Sequence, residues 1–394
     1  MAIYVNLSER MQKLPTYPFV ALRNSIVRAI DKGVDVINLG IGDPDEPTPS
    51  NIVSVAQNAL DNHEDLNRHR YGCDVPVPEL QSAFREFYLR QWDVKLSDDQ
   101  VQATTGSKDA IVQLCLGILN PGDFALTPYP CYPTYNIGHI IAGAHTVPVK
   151  IGAHNDFLVD FDHLGPSLCD ETRILWLNYP NNPTTATAPL EFFERAVEFG
   201  LDNDILIAHD AAYSLNTYDG YEAPSILQVK GAEGAAVEFF SLSKAFNMTG
   251  WRVGCMVGNA EAIRALRLVQ NNTQNGTLRA VQYAAVEALL NADKLLPGIN
   301  ATYERRRNMV VEALNRAGWQ LERPKATVYV WAPIPQGYDS SENFAKDLLD
   351  KTGIVVTPGT GFGDFDDKSF RISLTASDQR IAQACDRIVE TKFW

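Results

Sequence analysis

Apolar residues recur at Leu80, Ala83, Phe84, Phe87 and Tyr88 within PELQSAFREFYLRQW, the spacing that collects one face of a helix. PLEFFERAVEFGL repeats that pattern behind Pro189. Between and beyond such stretches lie short apolar runs: FALTP (124–128), HTVPV (145–149), RILWLN (173–178), DILIAHD (204–210), VEFFSL (237–242) and RVGCMVG (252–258). These read as buried strands. Strands alternating with helices predict an α/β fold, with a mostly parallel sheet covered by helices on both faces. The pattern changes after about residue 285. LLPGINATYERRRNMVVEALNRAG reads as one long helix, with ERRRN (304–308) as its solvated face, and ATVYVWAPI and SFRISLT read as strands of a smaller α+β unit. VDVINLG near the start is expected to pack with that unit. The reading is a large domain over 45–285 and a small domain made of 1–44 and 286–394.

The chain has 394 residues, long enough for two domains, with ordinary hydrophobic (45%) and charged (21%) content. A net charge of −14 argues against nucleic acid and against anionic membranes as partners. The stretch around IVQLCLGIL spans roughly half a bilayer core, and the opening MAIYVNLSERMQKLP lacks the basic start and apolar run of a signal peptide. A cytoplasmic location is expected. The six cysteines form no Cys-x-x-Cys pair and stand beside no paired histidines, so no metal is expected and the thiols read as buried and free.

Open α/β sheets bind ligands beyond the carboxyl ends of their strands. In this chain those ends carry a particular set of polar groups. DILIAHDAAYS ends on Asp210, with Tyr213 following; ILWLNYPNNPT ends on Asn178, then Asn181 and Asn182; VEFFSLSK ends on Ser241, Ser243 and Lys244; VQATTGSKDA passes into a helix through Gly106, Ser107 and Lys108. Pyridoxal 5'-phosphate makes demands that this set meets. Its aldehyde takes an amine, here Lys244, and desolvation favours the neutral, nucleophilic form. Its ring nitrogen keeps a proton beside a carboxylate, here Asp210. Tyr213 and Asn182 can donate to its phenolic oxygen. Its phosphate suits the helix start at Ser107, the hydroxyls of Ser241 and Ser243, and the Arg252 guanidinium. Tyr132, in PYPCYPTY, is a flat partner for the ring.

With these residues in place, the chain resembles the class I/II aminotransferases of PLP fold type I. The family's hydroxyl-x-hydroxyl-Lys followed by Gly-x-Arg-x-Gly stands here as SLSKAFNMTGWRVG, its asparagine–proline element as NNPT and its aspartate–tyrosine element as HDAAYS. LGIGDPD, VVTPGTGFG and FRISL also match, in family order over nearly the whole chain. The resemblance implies a seven-stranded, mostly parallel sheet in the large domain and a ping-pong exchange between an L-amino acid and a 2-oxo acid. Lys244 would be both anchor and proton shuttle. Arg371 resembles the arginine that grips the substrate α-carboxylate, and Gly42 the glycine whose backbone approaches it. Tyr71 resembles the tyrosine that reaches the cofactor phosphate of a neighbouring subunit, which implies a homodimer with shared sites.

Finer matches (LPTYPF, GSKDAI, LNYPNNPT, AHDAAYS and SLSKAFNMTGWRVGCMVGNAEAI) resemble LL-diaminopimelate aminotransferases. They imply substrate contacts for Tyr17, Lys108, Tyr132, Asn182 and Asn275, with Lys108 also beside the cofactor, and a place in lysine biosynthesis. Aspartate/alanine and N-succinyl-diaminopimelate aminotransferases, and a PLP-dependent C–S β-lyase on the same fold, stay open as alternatives. One departure stands out: Thr185 occupies the position where the family carries glycine after Asn-Pro-Thr. If that backbone needs positive φ, threonine costs stability without expelling the cofactor.

Overall fold

The computed structural model describes residues 3, 5–15, 18–73, 76–165, 168–363, 367–391 and 393, with the backbone alone at 18, 19 and 21. Its strands, in chain order, are β1 (Ile37–Asn38), β2 (Val101–Thr104), β3 (Phe124–Tyr129), β4 (His145–Lys150), β5 (Thr172–Leu177), β6 (Leu206–Asp210), β7 (Ala236–Ser241), β8 (Gly254–Gly258), β9 (Tyr329–Pro333), β10 (Ile354–Val355), β11 (Thr357–Pro358) and β12 (Ser369–Ser373).

Seven of these form one sheet in the order β2-β8-β7-β6-β5-β3-β4. Only β8 opposes the rest, pairing antiparallel with both β2 and β7. The strands read as continuous apolar runs because both faces are buried. In β5, Ile174 and Trp176 pack on one side with Ile111, Leu114 and Tyr135, while Leu175 and Leu177 pack on the other with Phe192 and Phe193. Helices Ser107–Ile118, Thr134–Ala142 and Ala260–Thr273 contribute to the first layer; Leu190–Asn203 contributes to the second. The run at 252–258 enters its strand only at Gly254, because Arg252 is left-handed (φ 54°) and breaks the extended backbone.

A second core gathers β1, the antiparallel trio β11-β12-β9 and the helices Ala292–Arg316 and Asp378–Thr391. The opening VDVINLG joins it as expected: Ile37 and Asn38 pair in parallel with Ile354 and Val355.

Two expectations fail. ERRRN is no solvated face, since Arg306 and Arg307 are among the largest fully buried side chains. Arg306 bonds Asp45 at 2.6 Å, Glu46 at 2.5 Å and Asp378 at 2.7 Å, and Arg307 bonds Asp219 at 2.6 Å. Charge alone cannot reveal distant acids that would pair with a buried arginine. The six cysteines are free, but Cys73 and Cys169, both in connecting loops, are exposed; the other four are buried. Among the described residues no helix is long and apolar enough to cross a membrane.

Candidate active site

The site lies at one edge of the seven-stranded sheet. β2, β3, β5, β6 and β7 end there, and β8, running the other way, begins there. This topology explains why Arg252, at a strand's start, meets residues from strand ends. A cavity of about 500 Å³ is lined by Gly42, Ser107, Lys108, Tyr132, Asn182, Asp210, Tyr213, Ser241, Ser243, Lys244, Arg252 and Arg371. All of these were expected from the sequence.

Lys244 follows Ser241, whose side chain accepts from the Ser243 amide and caps the short turn carrying the lysine. Its ammonium donates to the Gly42 carbonyl at 2.5 Å. Burial lowers its pKa from the usual lysine value, against the pull of Tyr329 and Asp43, with Arg371 and Arg252 adding to the fall. A lowered pKa is what an amine nucleophile needs.

Asp210 ends β6 on the cavity floor. Burial raises its pKa to about 6, against the hydrogen bond from Tyr135, the charge of His209 and the Ala212 amide. Tyr135 donates to Oδ2 at 2.9 Å, while Oδ1 is buried and finds no hydrogen-bond partner among the described residues. An orphaned buried carboxylate oxygen is costly. A protonated ring nitrogen aimed at Oδ1 would supply the missing donor.

The helix Ser107–Ile118 brings its N-terminus to the same cavity, behind Gly106. Gly106 has φ +94° and a Cβ there would collide with the Arg252 guanidinium, so only glycine lets the arginine reach the helix start. Ser107, Ser241 and Ser243 line the same cavity. Amides at a helix end, hydroxyls and a guanidinium together suit a phosphate.

Arg371 on β12 is fully buried. It donates to Asn182 Oδ1 at 2.6 Å and to the Gly40 carbonyl at 2.9 Å. The Asn178–Asn182 turn is braced from within: the Asn178 side chain donates to the Asp210 carbonyl at 2.7 Å and accepts from the Asn182 amide at 2.8 Å. Tyr132 is half-buried and stands edge-on to Tyr135, ring centroids 5.9 Å apart.

Tyr71 and Asn275 do not line the cavity. Both are exposed, Tyr71 at 62%, and the segment after Tyr71 meets Asn275, whose carbonyl accepts from the Cys73 amide at 3.2 Å. Tyr17 lies outside the described residues. Several contributors were not singled out from the sequence, Asp43 and Thr249 on the cavity wall among them. Tyr135 holds Asp210 and stacks on Trp176 at 4.8 Å; Tyr329 and Arg23 line the cavity. Tyr135 looks like one more apolar helix residue in PTYNIGHIIA, and Tyr329 like one more strand aromatic in TVYVWA. Nothing local marks either as polar-facing.

Residues 34–388 match the sequence profile described as aminotransferase class I and II. The chain is 42% identical to the LL-diaminopimelate aminotransferase of Moorella thermoacetica over 382 residues, 97% of each chain. It is 43% identical to that of Gloeobacter violaceus over 381 residues, 96% of each. Substrate-bound BacF from Bacillus subtilis superposes with a TM-score of 0.93 at 32% identity, covering 99% of this chain and 98% of the other.

Proposed function

Because the chain belongs to the class I and II aminotransferases, we propose that it holds pyridoxal 5'-phosphate in this cavity and transfers an amino group between LL-diaminopimelate and a 2-oxo acid. The observation that carries the cofactor is the partnerless Oδ1 of Asp210 sharing one cavity with the Lys244 amine. The diaminopimelate substrate is supported by the names and near-complete coverage of the relatives.

When bound, this cofactor supplies an aldehyde that takes up the amino group and a ring that accepts the electron pair of the substrate Cα–H bond. Asp210 keeps the proton on the ring nitrogen. Tyr213 and the Asn182 amide nitrogen donate to the phenolic oxygen. Ser107, Ser241, Ser243 and Arg252 hold the phosphate. Lys244 would anchor the aldehyde and, when displaced from it, would take the proton from substrate Cα and deliver it to the former aldehyde carbon, two bonds away. Arg371 receives the α-carboxylate beside the Gly42 backbone, which fixes the Cα–H bond for that transfer. Lys108, which lines the cavity, contacts the substrate in this proposal, and the resemblance implies the same role for Tyr17. The surface exposure of Tyr71 and Asn275 suits residues lent to a second copy, so the working unit in this proposal is a cytoplasmic homodimer with shared sites.

The test is a donor screen with LL-diaminopimelate, aspartate, alanine and glutamate against 2-oxoglutarate or pyruvate. Glutamate formed from diaminopimelate and 2-oxoglutarate supports the proposal. Transfer from aspartate or alanine with diaminopimelate inert removes the substrate assignment and leaves transamination standing. Pyruvate and ammonia released from cysteine S-conjugates, without transfer, would mark elimination instead.

A further inference from the structure

We infer that Tyr329 is a positioning residue that couples the two ends of the site: its ring carries the Arg371 guanidinium and its hydroxyl holds that of Tyr213, so a carboxylate arriving at Arg371 is felt at Tyr213. The inference rests on the proposed function for the roles of Arg371 and Tyr213, and on geometry for the link between them.

Tyr329 opens β9 beside β12, the strand of Arg371, in antiparallel register. The Arg371 Cζ stands 4.0 Å from the centroid of the Tyr329 ring and 4.7 Å from that of Phe362. The guanidinium is therefore held between two aromatic rings, with all three side chains buried, where ring–cation attraction is strongest. At the other end of the ring, the Tyr329 hydroxyl oxygen is 2.8 Å from that of Tyr213, with the rings edge-on at 5.5 Å and 67°. Gly42 completes the seat. A Cβ at that position would run into the Tyr329 hydroxyl, so the glycine that leaves room for substrate also leaves room for this phenol.

Four charged or titratable groups face Tyr329: Arg371 from β12, Lys244 from the turn after β7, Tyr213 from the segment after β6, and Asp43 from the loop after β1. Burial alone would raise its pKa, but the Arg371 and Lys244 cations, with the Tyr213 bond, bring it below the ordinary tyrosine value. Tyr213 moves the opposite way, raised by burial and by Tyr329. Either hydroxyl of the pair can donate to the other; with the Tyr213 hydrogen given to the cofactor's phenolic oxygen, as the proposed function has it, Tyr329 is the donor to the Tyr213 oxygen. A chain of donors of this kind strengthens each link. A carboxylate on Arg371 neutralises the cation over the ring. Tyr329 then donates less strongly, Tyr213 follows, and the phenolic oxygen is left more basic.

The test follows the visible absorbance of the lysine-bound cofactor against pH, with and without maleate, a dicarboxylate that has no amine to react. In the wild type, maleate raises the titration midpoint. In Tyr329→Phe, which keeps the ring, the rise is smaller while maleate affinity stays close to wild type. Tyr213→Phe, probing the same hydroxyl pair from the other side, shows the same reduction, and the double variant adds nothing further, as expected for two members of one link. Tyr329→Leu, which removes the ring, weakens maleate binding by roughly two- to thirtyfold. An undiminished maleate shift in Tyr329→Phe, or independent effects of the two tyrosines, would overturn the inference. A wild type that forms no absorbance at Lys244 would instead overturn the proposed function.

Discussion

The Tyr135 hydroxyl donates to Oδ2 of Asp210 at 2.9 Å. One carboxylate oxygen is thereby satisfied from within the fold, and Oδ1 is left without a partner among the described residues. Tyr135 is in turn fixed by stacking on Trp176, ring planes 13° apart. The carboxylate is aimed before any ligand arrives, and its orientation is built into the sheet and the helix beside it.

That arrangement has a cost in the protein without cofactor, and the cost depends on pH. Asp210 has its folded pKa raised from 3.8 to about 6 by burial. Below pH 4 the group is protonated in folded and unfolded chains alike, and the penalty is absent. As pH rises from 4 through 6 the unfolded chain loses its proton first, so stability falls, by up to about 3 kcal/mol above the folded pKa. Cofactor-free Asp210→Asn should therefore melt higher than cofactor-free wild type at pH 7.5 and match it near pH 4. Equal melting temperatures at both pH values would contradict the burial argument.

Arg371→Ala removes a buried fork that bonds Asn182 and Gly40. Losing a bidentate, charge-assisted carboxylate contact of ~3 kcal/mol should lower kcat/KM by about a hundredfold. The cofactor absorbance should persist. Steady-state kinetics with a parallel spectrum checks both halves; loss of bound cofactor would mean the arginine serves the cofactor.

Thr185 has φ 64°, the left-handed backbone that a family glycine would adopt without strain. The sequence showed the exchange of residue type, and the structure shows that the backbone at this position is left-handed. A β-branched residue pays ~1–2 kcal/mol there, partly offset in glycine by its larger unfolded-state entropy. Thr185→Gly should raise stability by up to about 1 kcal/mol in a urea titration. A loss of stability would show that the threonine side chain contributes more than its backbone strain costs.

Arg306 bonds Asp45 and Glu46, just beyond Gly42 and Asp43, and Asp378 at the start of the last helix. Arg306→Met should cost about 1.5–3 kcal/mol, because the acids it leaves behind are partly exposed and can be solvated, and should also weaken substrate use by loosening the Gly42 loop. Thermal melts and KM measured together check this. A stability loss with unchanged KM would confine Arg306 to the fold.

What the sequence could and could not show follows from where each signal resides. Strand–helix alternation depends on local periodicity, and all six apolar runs named from it became strands of the central sheet. Lys244, Asp210, Asn182 and Arg252 were legible because polar residues at the ends of buried runs have few other reasons to be there. Tyr135 and Tyr329 were not, because each sits in an apolar pattern and acts through an oxygen whose partner is distant in sequence: Asp210 lies 75 residues from Tyr135, and Tyr213 lies 116 from Tyr329. The burial of Arg306 and Arg307 was hidden for the same reason.

The central claim is a covalent link between the Lys244 amine and the cofactor aldehyde. Borohydride reduction of the loaded protein, followed by proteolysis and mass mapping, tests it directly. The account predicts that the reduced cofactor is carried by the peptide containing Lys244, and that Lys244→Ala carries none. Label on another lysine, or a wild type that retains no label, would contradict it.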